Sequence, residues 1–567
     1  MGVKYKKIMA PFIVLAMVAV IWLKAGIYFE TNDDKCITEI LCGQLTGAPQ
    51  ARTVYVSYLL TLPVSLLYRI TARVPWYGLT LVLFQVIAYT AVLESVYSRC
   101  REIWDTAAGT AFLAAVMLLN LYIFGCIEYT STSGLLAAAG YFCLLLHKDP
   151  KKGWFRFCLL ELLAGLLRMN AMLMVQPLGF LAVAGLFPVK EGKSFRERLA
   201  VLGRVALPPA AVFLTVLAVD AFVYRGSDWK AYMKFNDAEE VLFDYVGVPP
   251  YDEVRDILDK YEVTETDYNA YANYMILDWV ISPECAQELA AYAQEHREGW
   301  NISGLWQELL KHLLDEPFWG LNRVLLFLWA ALAALALLWR DKALLLPALG
   351  LLAGKLFSWT FLLYRRRFPL RVSMPLIAGE ILLLSALLLR RGTDTELRGK
   401  PKRLRYVGLG VLLFGMCAAG FMTGRQQYSY ILNENKGQKI FMEGLREIRA
   451  YCDSHSGNRY ILDAVSMSYY KGSALEYEVY QGGNYIVSGS WYSNSPYLRK
   501  YNAEYLSGGD GIYFLVYDGG GGISHPGVSY LIQETGVQPE ICDRITVSPG
   551  GTYLVYYFDG KYCIEES

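Results

Sequence analysis

Long apolar runs alternate with short polar joints along this chain, and the runs are nearly uninterrupted: residues 8–27 carry one charge, Lys24, and residues 406–422 carry none. A helix needs about 20 apolar residues to cross about 30 Å of hydrocarbon, and only a helix satisfies its own backbone there. About eleven segments fit that length. They lie near 8–27, 77–98, 106–125, 129–146, a short broken pair within 157–187, 202–223, 319–339, 343–363, 371–390 and 404–424. A polar stretch at 224–318 interrupts the pattern and a polar tail from Arg425 ends it. The expected fold is a polytopic α-helical membrane protein. A transmembrane domain would span 1–424, with outer loops at 28–52 and 224–318, and a soluble α/β domain would span 425–567.

The segment 53–71 is apolar but contains Pro63, Tyr55, Tyr58, Tyr68 and Arg69. Those residues suit the membrane interface, so it is read as a juxtamembrane helix; the other reading makes it a full span and reverses several loops. In the tail, a helix from Phe441 and the runs RYILDAV, NYIVSG, GIYFLVYD and TYLVYYFDGKY predict one helix and several strands separated by glycine-rich turns.

Lys and Arg collect on cytoplasmic loops. Lys4, Lys6 and Lys7, the groups at Arg99/Arg101, Lys148–Arg156, Lys190–Arg198 and Arg340/Lys342, and the cluster from Arg390 to Arg405 follow one side. That places the N-terminus in the cytoplasm and the 425–567 tail outside it. The basic start resembles that of a signal peptide, but no small-residue cleavage site follows, so the first run is read as an uncleaved span.

Composition narrows the chemistry. Hydrophobic residues make up 54% and charged residues 19%, with Lys+Arg and Asp+Glu equal at 53, so no bulk charge calls for nucleic acid. The 11 cysteines show no C-x-x-C or metal-ligand spacing and read mostly as small buried hydrophobes, with a Cys36–Cys42 disulfide left open. The function therefore depends on polar residues at the membrane surface.

Asp33 and Asp34 follow the first span closely. Such a carboxylate could act as a general base on a substrate presented from outside, with its neighbour holding geometry or a divalent cation; from spacing alone the cap of a helix starting near Lys35 is the favoured reading. Arg168 lies between two apolar stretches, where a charge is costly unless paired, hydrated or snorkelling. Arg365, Arg366, Arg367 and Arg371 form a basic run on the expected outer face, against the usual charge bias; guanidinium forks hold phosphate oxygens in pairs, which points to a phosphate ligand, with anionic headgroups as the alternative. In the large loop, Trp229, Tyr232, Asn236 and Asp237 combine rings with amide and carboxylate groups, a mix that grips sugars and also suits an interfacial aromatic belt. His455, Asp463 and Ser466 read as surface and turn residues, and the glycine run after Asp518 lacks the Lys-Ser/Thr of a phosphate loop.

An acidic loop straight after the first span, a Gly/Pro turn through Gly43, Gly47 and Pro49, and an aromatic amphipathic helix together resemble the GT-C superfamily of polyprenyl-phosphate-sugar-dependent glycosyltransferases. Protein O-mannosyltransferases and lipid A aminoarabinose transferases belong to that superfamily. The resemblance spans most of residues 1–390, including a large loop after the seventh span; the chain shows TVYVSYLL where better-known members carry a His-Pro-Pro stretch. It implies a cell-membrane transferase using a polyprenyl-phosphate-linked sugar donor and an extracytoplasmic glycan, lipid or protein acceptor. Asp33 or Asp34 would be the base, and Arg168 with the four-Arg run would hold the donor phosphate. A lipid-linked glycan polymerase or ligase is related chemistry. A transporter or flippase of lipid-linked sugars is the non-enzymatic reading, and it would call for internal repeats that the chain lacks.

Overall fold

Each apolar run closes its backbone hydrogen bonds within itself as a helix. The computed structural model describes residues 3–186, 195–277, 279–297, 299, 301–314, 319–339, 342–393, 402–467, 470–475, 483–507, 511–519, 525–548 and 550–562. The N-terminal half runs α1 (Val3–Ala25), β1 (Tyr28–Phe29), α2 (Asn32–Cys42), α3 (Tyr58–Ile70), α4 (Trp76–Tyr97), α5 (Ile103–Leu119), α6 (Leu121–Gly125), β2 (Cys126–Ile127), α7 (Tyr129–Leu146), α8 (Pro150–Ala184) and α9 (Phe195–Val223). The large loop folds into α10 (Ser227–Glu239), a π-helical turn Glu240–Val246, α11 (Tyr251–Lys260), α12 (Glu265–Ala272), α13 (Pro283–Glu295) and α14 (Ile302–Leu314). Helices α15 (Leu321–Trp339), α16 (Lys342–Tyr364), α17 (Leu370–Thr393) and α18 (Lys402–Ser454) complete the bundle. Parts of the basic clusters at 187–194, 340–341 and 394–401 lie outside the described residues.

Eight helices are long and apolar enough to cross a membrane, and α3, α5 and α15 are shorter apolar helices. α8 would be about 53 Å long if straight, far more than a bilayer needs. It is not straight. Arg168 has extended dihedrals (φ −156°, ψ 100°) inside it. Gln176 Nε2 donates to Glu161 Oε2 at 2.9 Å across the break, where a straight helix would hold the two residues about 22 Å apart. α8 is therefore a helical hairpin with Arg168 at its apex, which is the broken pair expected within 157–187. Counting α8 as two passes and adding the shorter α5 and α15, the described residues hold eleven apolar helical segments for the membrane.

α3 is not one of them. Ser57 N, just before it, bonds Leu166 O near the α8 apex, and Tyr68 near its end accepts from Tyr77 N at the start of α4. Arg69 reaches Pro49 O. Both ends lie at the same end of the bundle as α2, so α3 runs along that end.

α7 and α17 are buried along most of their length and form the core, while α1, α9 and α18 turn Phe12, Leu23, Leu207, Phe222 and Phe414 outward, as lipid contact requires. Close approach inside the core uses small residues: a Cβ on Gly179 would meet the Tyr141 ring at 2.2 Å. A charged pair survives there because it is complete. Lys355 of α16 donates to Glu380 of α17 at 2.9 Å, and Trp329 of α15 donates to the same carboxylate at 2.5 Å.

α18 runs without a break from the apolar run into the tail, so the helix expected from Phe441 is its continuation and the boundary expected at 424–425 falls inside one helix of 53 residues. Beyond it, β3 (Tyr460–Leu462), α19 (Ala464–Met467), β4 (Tyr485–Val487), α20 (Pro496–Leu506), β5 (Ile512–Tyr517), α21 (Pro526–Thr535), β6 (Glu540–Val547) and β7 (Gly551–Phe558) build a five-stranded sheet of order β4-β3-β5-β7-β6. β4, β3 and β5 are parallel; β7 and β6 add antiparallel. The β6 sequence EICDRITV carries mixed charges on an exposed edge, which hid it from hydropathy.

This α/β unit is stitched to the membrane bundle through main chain. β1 pairs in parallel with β2, and Gly472 O and Ala474 N bond Phe29 N and Ile27 O on its other side. Ala474 lies so close to α4 that a Cβ on Gly78 would sit 1.7 Å from its carbonyl oxygen.

The sidedness set by the basic clusters has a direct check in Cys542, an exposed free thiol on β6. In intact cells a membrane-impermeant maleimide should label it, and Cys542→Ser should lose that label. Labelling that appears only after permeabilisation would place the α/β unit in the cytoplasm.

Candidate active site

α2 starts three residues earlier than the sequence suggests, with Thr31 as N-cap, so Asp33 and Asp34 both lie in its first turn. Their environments then diverge, because adjacent helical residues point about 100° apart. Asp34 is fully buried and occupied on both oxygens: Tyr77 donates at 2.8 Å and Thr31 at 3.4 Å. Asp33 is part-exposed. Its carboxylate faces Arg371 at 3.7 Å and accepts no hydrogen bond among the described residues. Asp34 ties α2 to α4; Asp33 has capacity to spare.

The parallel ladder of β1 and β2 ends with Phe29 opposite Ile127, so the next residues, Glu30 and Glu128, leave it side by side. Tyr122 donates to Glu30 at 2.8 Å and Ser131 N to Glu128 at 2.7 Å. One oxygen of each is buried without a partner. Hydropathy missed this pair; the signal available was a lone carboxylate at the head of the α7 apolar run.

Several carboxylates thus share a desolvated corner. Burial raises Asp33, with Arg371 drawing it partly back. Burial and then the charge of Glu128 hold Asp34 well above the usual carboxylate range. Burial pushes Glu128 up to about 7 against the pull of Arg371.

The arginines arrive from two breaks in helices. Arg168, at the α8 apex, donates to Tyr55 O at 3.1 Å and lies over the Tyr55 and Tyr129 rings at 4.9 and 5.3 Å. α16 ends with Arg366 in the left-handed region (φ 55°), which turns the chain into α17 and fans out the basic run. Arg367 pairs with Asp244 at 2.7 Å, and Arg365 and Arg367 each lie over Tyr245, at 4.7 and 4.9 Å. Asp244 and Tyr245 belong to the π-helical turn, a deformation common at functional sites. Arg366, Arg367, Arg371 and Asp244 line a cleft of about 750 Å³.

Asp33, Arg168, Arg367 and Arg371 therefore converge, while Arg365 and Arg366 are exposed, Arg366 on the wall of the cleft and Arg365 over Tyr245. The large-loop residues are placed differently. Trp229 and Tyr232 are buried, Trp229 against Tyr224, Tyr497 and the Arg52 guanidinium and Tyr232 donating to Trp491 O at 3.0 Å, so their rings are core packing against the α/β unit instead of open stacking faces. Asn236 is buried beside them and accepts from the Tyr55 hydroxyl at 3.4 Å; Asp237 is exposed. Cys36 and Cys42 are free thiols. His455 bonds Tyr451 O and not Asp463, whose ion-pair neighbour is His525 at 3.8 Å. Among the described residues no three acidic, histidine or cysteine side chains converge in a metal-holding arrangement.

No family model matches the chain, and no curated protein matches it. Among solved structures, the crystal structure of ArnT from Cupriavidus metallidurans bound to undecaprenyl phosphate is similar over 96% of this chain and 97% of that one, at 12% identity and a TM-score of 0.39. At that level no residue carries across.

Glu128 gives the corner a stability signature. Its raised value means the folded state holds a proton between about pH 4.5 and 7 that the unfolded chain has released. Stability from this group is complete below pH 4.5 and is lost as pH rises through about 7. Glu128→Gln should match the native thermal midpoint at pH 5 and exceed it at pH 8, read in detergent solution. Equal midpoints at pH 8 would remove the buried-proton account.

Proposed function

We propose that this chain is an integral membrane glycosyltransferase that moves one sugar from a polyprenyl-phosphate carrier to an extracytoplasmic glycan, lipid or protein acceptor. The observation that carries the reading is the pairing of a part-exposed carboxylate, Asp33, with Arg371 at 3.7 Å on the edge of an arginine-lined cleft at the membrane end of the bundle. One group accepts a proton and the other neutralises a phosphate, which is what this transfer needs.

The acceptor hydroxyl gives its proton to Asp33 as its oxygen bonds the sugar's anomeric carbon. The bond from that carbon to the carrier phosphate breaks, and its electron pair leaves on the phosphate. The leaving group is already an anion of low basicity, so it needs no proton, only positive charge placed in advance. Arg371, Arg168 and Arg367 supply that charge around the base, and the exposed Arg365 and Arg366 add to it further out. Asp33 then loses its proton to water. Arg371 also draws Asp33 back from the full effect of burial, so the base is ionised at a lower pH than it would be alone.

In a reconstituted assay, Asp33→Asn should lower kcat by about a hundredfold to ten-thousandfold. Asp34→Asn retains an acceptor for Tyr77 and should act mainly through stability. Activity should fall as pH drops through the raised pKa of Asp33, so the acid limb lies above the ordinary value of a free aspartate. Arg371→Ala should raise donor KM about ten- to a hundredfold and move that limb to higher pH. Arg371→Lys should rescue donor KM in part, because an ammonium lacks the two-pronged fork. Full turnover by Asp33→Asn would end the general-base assignment.

A further inference from the structure

A second cavity lies on the other side of α2, where that helix faces the α/β unit. Its walls are α2, the portion of α18 from Lys439 to Arg449, and the carboxyl ends of β3 and β4, at Leu462 and Val487. Open α/β sheets bind ligands at the carboxyl ends of their parallel strands, because the loops diverge there and leave a crevice. Two contiguous chambers of about 150 and 300 Å³ share Lys35, Glu39, Gln44, Arg449 and Tyr470. Together they reach the size range of small-molecule sites, about 300–1,000 Å³.

The lining mixes apolar and polar groups, and its charged side chains lean positive. Lys35, Lys439, Arg446, Arg449 and Lys471 face it against Glu39 and Glu443. Several of these cations are held in place and not swinging freely. Lys35 sits 3.4 Å from Glu39 and over the Tyr470 ring at 4.3 Å, Arg449 donates to the Tyr485 hydroxyl at 2.8 Å, and Lys471 pairs with Glu434 at 3.5 Å. Tyr501, Asn502, Ser490 and Ser493 add a ring, an amide and hydroxyls along the same wall.

We propose that this crevice binds the acceptor and that the acceptor is an anionic saccharide, one carrying carboxylate or phosphate groups. The inference rests on the transferase reading for the word acceptor, but the binding site stands on its own geometry. Cations fixed by aromatic and carboxylate neighbours recognise anionic groups with little ordering cost. Tyrosine rings, amides and hydroxyls suit the faces and hydroxyls of sugar rings. Position supplies the link to the chemistry: Asn32, Lys35 and Glu39 line the crevice from one face of α2, and Asp33 is the next residue round that helix. A glycan lying in the crevice therefore rests against the same first turn of α2 that carries Asp33.

The test is equilibrium binding to the full-length protein in detergent by titration calorimetry, with tetragalacturonate, neutral maltotetraose and galactose 6-phosphate as probes. Tetragalacturonate or galactose 6-phosphate should bind at least about tenfold more tightly than maltotetraose, and whichever is tighter identifies the anion as carboxylate or phosphate. The double variant Lys439→Gln with Arg446→Gln, both exposed on α18, should weaken that probe about tenfold or more, while Lys439→Arg should bind it as the native chain does. Equal affinity for charged and neutral probes, or unchanged binding by the double variant at an unchanged thermal midpoint, overturns the proposal. Binding is read without turnover, so that result leaves the transferase reading standing, whereas full activity of Asp33→Asn would overturn the transferase reading and leave this site untouched.

Discussion

The balance of charge around Asp33 governs how the rest of this molecule is arranged. Glu30, Asp34 and Glu128 crowd one side of it in a corner from which water is largely excluded, and Arg371 at 3.7 Å is the cation in ion-pair contact on the other side. A desolvated carboxylate cluster costs several kcal/mol unless it is protonated or matched. Here both happen. Burial raises the inner members and so favours their neutral forms, and guanidinium groups from two helix breaks face the outer one. The breaks follow from that need: Arg168 reaches the site only because α8 doubles back at it, and Arg371 because Arg366 turns the chain left-handed between α16 and α17.

The α/β unit extends the same corner outward. Its 472–474 segment adds to the β1–β2 ladder from which Glu30 and Glu128 emerge, and its Trp491 to Tyr497 stretch covers Trp229, Tyr232 and Arg52. Moving this unit would loosen the ladder and α2 together. The α/β unit is thus coupled to the base mechanically, through main-chain bonds and a glycine at position 78 that permits no side chain.

Hydropathy made the spans legible, including the α8 pair and the interfacial α3, because lipid imposes a length and a polarity that the sequence must show. Asp33, Asp34, Arg168 and the four-Arg run stood out for a related reason: charges at membrane depth are rare. What remained hidden depended on three-dimensional neighbours. Glu30 and Glu128 are far apart in sequence and meet through a ladder of two residues per strand. Trp229 and Tyr232 look like sugar platforms in one dimension and are core residues in three, because a chain segment some 260 residues later covers them. β6 was invisible since an exposed edge strand needs no apolar alternation.

The central claim is that the arginines beside Asp33 exist to hold a carrier phosphate next to a base. A cryo-electron microscopy map of the protein in lipid nanodiscs with added polyprenyl phosphate tests it most directly. The account requires phosphate density about 3 Å from the Arg371 guanidinium, as charge-assisted contacts demand, on the Asp33 side of the cleft and with the isoprenoid leading into the bilayer. Phosphate bound elsewhere, with Arg371 still paired to Asp33 alone, would contradict it.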